Sequence, residues 1–491
     1  MRSRLLGLTL LVLALAAVAG AIRMLRPATA PPIPEWSADS RIWARDQRQL
    51  TTALGRAPRI WEGAKGPDIV VIVLDTTRLD RLGIYGYDQN TTPKLDAWAR
   101  GARVYDQFRA DATWTLPSHA SLFTGKAPTA HGADGLPLEA EQPASPLRKG
   151  VPTVARSLRK AGYRTVGIAA NRAFLDPAWG LSQGFDAWVC RELEEGPGGG
   201  SDPTADRIQR LAQAALGAPR EGALFLFLNF MDPHTPWIVR EPFLAHPDKI
   251  RPKTLPGTKG WNRASRRLLV EGTLPDETIE SWSEAYDSEV RFLDDELGNL
   301  LAALPSLGIG PEDYVFILSD HGEYLGEHGL VQHWRDAYEE LAHVPLLISG
   351  PGYAPGRDPT PLQHHDLAAM ILAAAGLPPL PESSATGVQV TESWYARKDD
   401  LADPKLAPRF NRIRRGFVSG TQKLLLGDDG TQEAYDLAAD PGELHPLTDA
   451  PWAETLQALA TAWQAAQVPP EPATLDEPVN TEALRALGYV Q

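Results

Sequence analysis

Ile69-Val70-Val71-Ile72-Val73-Leu74-Asp75 decides the fold. Six apolar residues without alternation fit a strand buried on both faces of a parallel sheet, and a carboxylate closes it. Similar runs recur at Thr165 to Ala169, Ala223 to Phe230, Tyr314 to Ser319 and Val344 to Ser349. Helical patterns lie between and after them, at Val151 to Ala161, Thr204 to Leu216, Glu277 to Leu304 and Asp366 to Ala375. Alternating strands and helices predict an α/β domain with a mainly parallel sheet. Such sheets bind ligands beyond the carboxyl ends of their strands. Three of those ends carry Asp75-Thr76-Thr77-Arg78, Met231-Asp232-Pro233-His234 and Asp320-His321-Gly322-Glu323.

A second stretch, Ala112-Thr113-Trp114-Thr115-Leu116-Pro117-Ser118-His119-Ala120-Ser121-Leu122-Phe123-Thr124-Gly125, reads as a short helix. Pro117 suits its first turn and Gly125 its stop. Thr115 then sits at the mouth of a helix, where free N–H groups and the dipole favour an anion. On its own this is a capping threonine. With the strand ends it becomes a candidate nucleophile. Asp75, Asp320, His321 and the Thr115 oxygen make a four-ligand N/O set suited to one divalent ion such as Zn²⁺, Mn²⁺, Ca²⁺ or Mg²⁺. His234 and His333 are the imidazoles available to bind substrate oxygens or protonate a leaving group. Arg78 could pair with Asp75 or with an anionic substrate.

The chain has 491 residues, 43% hydrophobic and 22% charged, which predicts one large domain and a smaller appendage. A net charge of −14 argues against sequence-independent nucleic-acid binding. Cys190 is the only cysteine, so no intramolecular disulfide forms and no cysteine cluster holds zinc. Residues 1–26 hold basic Arg2 and Arg4, the apolar run Leu5 to Ile22, and Arg23 and Arg26. That run reads as a single N-terminal membrane anchor or a signal peptide, with Ala17-Val18-Ala19 as a cleavage option. Either places the body outside the cytoplasm, in the periplasm or on the outer face of a membrane. Residues 27–66 read as a stalk, helical from Arg41 to Leu54. Glu194 to Pro203 is glycine-rich, and Pro242 to Pro275 reads as an irregular, solvated basic surface loop, with a rim that attracts anionic substrate as the alternative. Strand-like Gly416-Phe417-Val418 and Lys423-Leu424-Leu425-Leu426, then a helix from Trp452 to Gln467, predict a C-terminal α+β subdomain over 381–491, after a catalytic domain over 67–380.

In these motifs the chain resembles the sulfatase family of the alkaline-phosphatase superfamily. Asp75 in Val-Leu-Asp-Thr-Thr-Arg is similar to the first metal-binding aspartate, and Tyr85-Gly86-Tyr87 with Thr92-Pro93-Lys94-Leu95-Asp96 to the segment after it. Thr115 to Gly125 resembles the nucleophile motif. Asp232-Pro233-His234-Thr235-Pro236-Trp237 resembles the substrate-histidine motif, and Ser319-Asp320-His321-Gly322-Glu323 the second metal motif. His333 falls near a further basic substrate contact. Lys423 resembles a lysine that reaches the leaving group. The resemblance implies a large, mainly parallel mixed sheet sandwiched by helices. It also implies one divalent metal (Ca, Mn or Zn) and an anionic ester substrate carried on a glycan or lipid.

Two departures shape the activity expected. Sulfatases proper use a cysteine or serine oxidised to formylglycine, with an arginine four residues on; here those positions are Thr115 and His119. Threonine cannot form that aldehyde, so a sulfated intermediate could not leave by elimination. His119 stays a candidate substrate contact by position only. The second tandem aspartate is Thr76. The expected activity is metal-dependent hydrolysis of sulfuric, phosphoric or phosphonic esters with unmodified Thr115 as nucleophile. The threonine-based lipoteichoic-acid synthases and phosphoethanolamine transferases share this reduced set, so transfer of a phosphorylated head group to a lipid or glycan is the alternative. A non-catalytic binding protein is a third.

Overall fold

In the computed structural model the strand β1 (Ile69–Leu74) lies inside an eight-stranded sheet in the order β10-β2-β9-β6-β1-β5-β3-β4. Its partners are β2 (Arg103–Arg109), β3 (Arg164–Ala169), β4 (Ala187–Val189), β5 (Leu224–Phe230), β6 (Tyr314–Leu318), β9 (Leu346–Ser349) and β10 (Gly356–Gln363). A two-stranded ribbon, β7 (Tyr324–Leu325) with β8 (Val331–Gln332), sits apart. The structure describes residues 40–56, 66–136, 142, 144–190, 204–220, 222–381, 388–394, 398–479, 481 and 484. The leader, most of the stalk, all of Glu194 to Pro203 and the tail from Leu487 lie outside the described residues.

Every pairing in the sheet is parallel except those of β9, which runs against β6 and β2. All residues of β1 and β5 are buried whichever way they point, so both faces are covered. Two groups of helices do the covering. One comprises α3 (Thr115–Thr124), α4 (Val154–Lys160) and α8 (His364–Ala374). The other comprises α1 (Ser40–Arg56), α2 (Pro93–Ala99), α5 (Ala205–Leu216) and α7 (Asp276–Ala303). The sandwich the sequence implies is therefore present.

Two expectations are corrected. Residues 40–56 are not part of a separate stalk: α1 packs on α5 and β4, and buried Asp46 forms a bidentate ion pair with Arg207 at 2.8 and 3.0 Å. Within Pro242 to Pro275, Lys259–Glu271 forms a regular helix, α6. Thr258 caps it by accepting from Trp261 N, and Trp261, Leu268 and Leu269 bury its inner face.

The C-terminal part is an antiparallel sheet of β11 (Gln389–Ser393), β12 (Arg414–Ser419), β13 (Gln422–Gly427) and β14 (Gln432–Asp436). α9 (Ala453–Ala466) lies on it over a small core that includes Phe417, Leu424, Ala460 and Trp463. No helix among the described residues is long and apolar enough to cross a membrane.

Candidate active site

Three neighbouring strands bring the chemistry together. Register pairs Leu74 of β1 with Phe230 of β5 and Val73 with Leu318 of β6, so all three end at one level. Asp75 and the Asp320-His321 pair leave the sheet side by side. α3 points its first turn at the same place; it begins at Thr115, one residue later than extended Trp114, and stops at left-handed Gly125.

The Thr115 oxygen is 3.4 Å from His321 Nε2, which is 3.4 Å from Asp320 Oδ2 and 4.0 Å from Asp75 Oδ1. One ligand atom each from Asp75, Asp320 and His321 lies within 4.8 Å of the others, and all three residues are buried. The hydrogen bonds behind them fix which atoms face inward. Asn171 and Asn229 both donate to Asp75 Oδ2, at 3.1 and 3.2 Å. The backbone N–H groups of Thr76 and His321 donate to Asp320 Oδ1, at 3.2 and 2.9 Å. Each carboxylate therefore keeps one oxygen committed and one, Asp75 Oδ1 or Asp320 Oδ2, buried with no hydrogen-bond partner. His321 Nδ1 lies 2.9 Å from the Gly322 carbonyl. A carbonyl only accepts, so the proton sits on Nδ1 and Nε2 turns its lone pair to the site.

This arrangement is costly without a cation. Burial and the neighbouring Asp320 charge push the Asp75 carboxyl up to about 8, and burial pushes Asp320 up to about 7. Burial holds His321 below its ordinary value, in the neutral form a metal ligand needs. Two orphaned carboxylate oxygens, one imidazole lone pair and one hydroxyl fit a single divalent ion of the N/O-preferring class.

The other predicted residues divide. The His333 ring lies 4.5 Å from the His321 ring, tilted, and 4.9 Å from the His234 ring, edge-on, centre to centre. Buried Glu323 ties them together, accepting from Thr235 Oγ1 at 2.9 Å and meeting His333 Nδ1 at 3.2 Å. Burial and the neighbouring His333 hold His234 down at about 3, so its imidazole is neutral. Three expectations are corrected. Arg78 does not pair with Asp75, and its guanidinium is already taken up: it is buried and ion-paired to Asp80 and Glu327, both at 2.7 Å, instead of being held for an anionic substrate. His119 donates to the Thr115 carbonyl at 2.9 Å, packs edge-on against Phe227 and holds its Nδ1 3.6 Å from Asp320 Oδ2, so it stands behind that carboxylate. The Lys423 ammonium is held by Glu339 at 2.9 Å and Glu443 at 3.0 Å, between the small sheet and the body.

Asn171 and Asn229 are the residues sequence reasoning missed. Asn171 Nδ2 also reaches the Thr115 oxygen, at 3.2 Å. Both carry the signal that identified the others: Asn229 breaks the apolar run of β5, and Asn171 follows the end of β3.

Comparison with known proteins gives a consistent picture. The sulfatase family model matches residues 67–377. A choline-sulfatase from Rhizobium meliloti is 24% identical over 81% of this chain and 85% of its own length. A Δ4,5-hexuronate-2-O-sulfatase from Bacteroides thetaiotaomicron is 20% identical over 78% of this chain and 85% of its own. In fold, the phosphonate monoester hydrolase of Agrobacterium radiobacter superposes with a TM-score of 0.61 at 18% identity, over 81% of this chain and 95% of that one.

Proposed function

The chain belongs to the sulfatase family and is an ester-hydrolysing enzyme, and from that premise we propose a metal-dependent hydrolase in which unmodified Thr115 is the nucleophile. The observation that carries this reading is the convergence of Asp75 Oδ1, Asp320 Oδ2, His321 Nε2 and Thr115 Oγ1, two of them buried carboxylate oxygens without partners. A divalent ion would be held by Asp75, Asp320 and His321 and would supply Lewis acidity there, lowering the pKa of a nearby hydroxyl and drawing charge from the substrate's non-bridging oxygens.

The protein's own residues supply the rest. Thr115 Oγ1 attacks the phosphorus or sulfur atom, forming a threonine ester as the bond to the leaving oxygen breaks. The Thr115 proton passes to a buried imidazole, His234 or His333, and from there to the departing alkoxide. Water then hydrolyses the threonine ester and restores the hydroxyl.

Phosphate esters, phosphodiesters and phosphonates are preferred here over sulfates. Lacking a gem-diol, a sulfated threonine has no elimination route, whereas a phosphorylated threonine is opened directly by water. The hexuronate-2-O-sulfatase among its relatives and the phosphonate monoester hydrolase that shares its fold support an anionic ester as the substrate class. The apolar run Leu5 to Ile22 supports a membrane-anchored or secreted placement.

The test is a screen of purified protein, with Ca²⁺, Mn²⁺ or Zn²⁺ added, against matched aryl sulfate, phosphate, phosphodiester and phosphonate esters. Thr115→Ala should lose at least about a thousandfold in kcat while keeping its melting temperature. Intact mass should show an adduct on the parent protein alone. Full turnover by the alanine variant removes the nucleophile assignment.

A further inference from the structure

Asn171 is wholly buried, and its amide direction is fixed by its surroundings. Its Oδ1 accepts from Phe174 N at 3.0 Å, capping the turn that follows β3. Its backbone N–H donates to Asn229 Oδ1 at 3.0 Å. With the amide oxygen so engaged, only the NH₂ group can face the site, where it lies 3.2 Å from Thr115 Oγ1 and 3.1 Å from Asp75 Oδ2. An amide NH₂ has two hydrogens and no lone pair to offer, so both neighbours are acceptors. The Thr115 proton must then point away from Asn171.

We propose that Asn171 is the positioning residue of the nucleophile: it turns the Thr115 oxygen into its attack orientation and stabilises the negative charge that oxygen carries as its proton leaves. This rests on Thr115 being the nucleophile. The donor is preorganised and shielded from water, the setting in which one such hydrogen bond is worth about a hundredfold or more in rate. Asn229 provides the internal control. It shares the Asp75 Oδ2 bond, at 3.2 Å, without an amide contact to Thr115.

The experiment compares Asn171→Ser, Asn229→Ser and Thr115→Ala on the best ester of the screen. Serine at 171 can still cap Phe174 N but is too short to reach Thr115. Asn171→Ser should lose about a hundredfold in kcat with KM within about threefold, and Asn229→Ser under about tenfold. Calorimetric titration with Mn²⁺ alone should give the two serine variants similar affinities, since each removes one of the two amides on Asp75. Should Asn171→Ser fail to fold, Asn171→Ala is read the same way. Equal kcat losses in the two serine variants, or full recovery of Asn171→Ser at saturating Mn²⁺, overturn the proposal. An active Thr115→Ala removes the nucleophile reading itself, whatever Asn171 does.

Discussion

Thr76 shows how one side chain sets the character of this site. Its φ of 55° lies in the left-handed region, which a β-branched residue rarely adopts. The surroundings hold it there: its N–H bonds Asp320 Oδ1 at 3.2 Å, and its carbonyl accepts from Tyr286 Oη at 2.7 Å. The backbone is thus needed to aim Asp320, while the hydroxyl is buried with no partner. A carboxylate here would add a third hard, charged oxygen donor. Calcium favours six to eight oxygens, whereas a site of two carboxylates and an imidazole suits manganese or zinc. Thr76→Asp should therefore raise calcium affinity relative to manganese by at least about tenfold, and aspartate tolerates the left-handed backbone better than threonine does. Calorimetric titration of both proteins with both ions checks this. An unchanged ratio would mean that residue 76 does not reach the cation.

At the scale of elements, strand ends were the legible part of the sequence. β1, β5 and β6 are apolar on both faces, so hydrophobicity alone marked them and drew attention to the polar residue closing each. The strands that escaped notice lack that mark. β4 has three residues, β2 carries a charge at every third position (Arg103, Asp106, Arg109), and β10 carries Pro359 and Pro361, tolerated because it is an edge strand. Long-range charge pairing was equally hidden: nothing near Arg78 or Lys423 in sequence announces Glu327, Glu339 or Glu443. Lys423 on β13 is the sharper case. Glu339 also binds Arg109, at 2.7 Å, so the cluster joins the small sheet to β2 of the large one. Both carboxylates draw the buried Lys423 ammonium above its ordinary value. Lys423→Met leaves Glu339 and Glu443 without that charge, and losing one member of a buried ion pair costs about 3–5 kcal/mol. The expected result is a large fall in denaturant midpoint with kcat within about twofold of the parent. A selective kcat loss on esters with poor leaving groups, at unchanged stability, would instead restore Lys423 to the leaving group.

For the whole molecule, the question is where the folded body begins. The family match starts at residue 67, and a division there leaves α1 outside. Physical contacts put α1 inside. Leu50 is buried in the main core, and the Asp46–Arg207 pair closes α1 onto α5, which itself packs on β3, β5 and α7. α1 also packs against β4, the edge strand opposite β10, and edge strands left bare invite pairing with another chain. Removing it exposes that edge and leaves Arg207 buried without its carboxylate. A chain starting at residue 40 keeps α1 and is the reference. One starting at residue 67 should lose several kcal/mol, of which the broken ion pair alone accounts for about 3–5, and should aggregate as the uncovered edge pairs between molecules. Calorimetric melting with light scattering on the two truncations separates the outcomes. Equal melting temperatures would show α1 to be an ornament on a body complete without it.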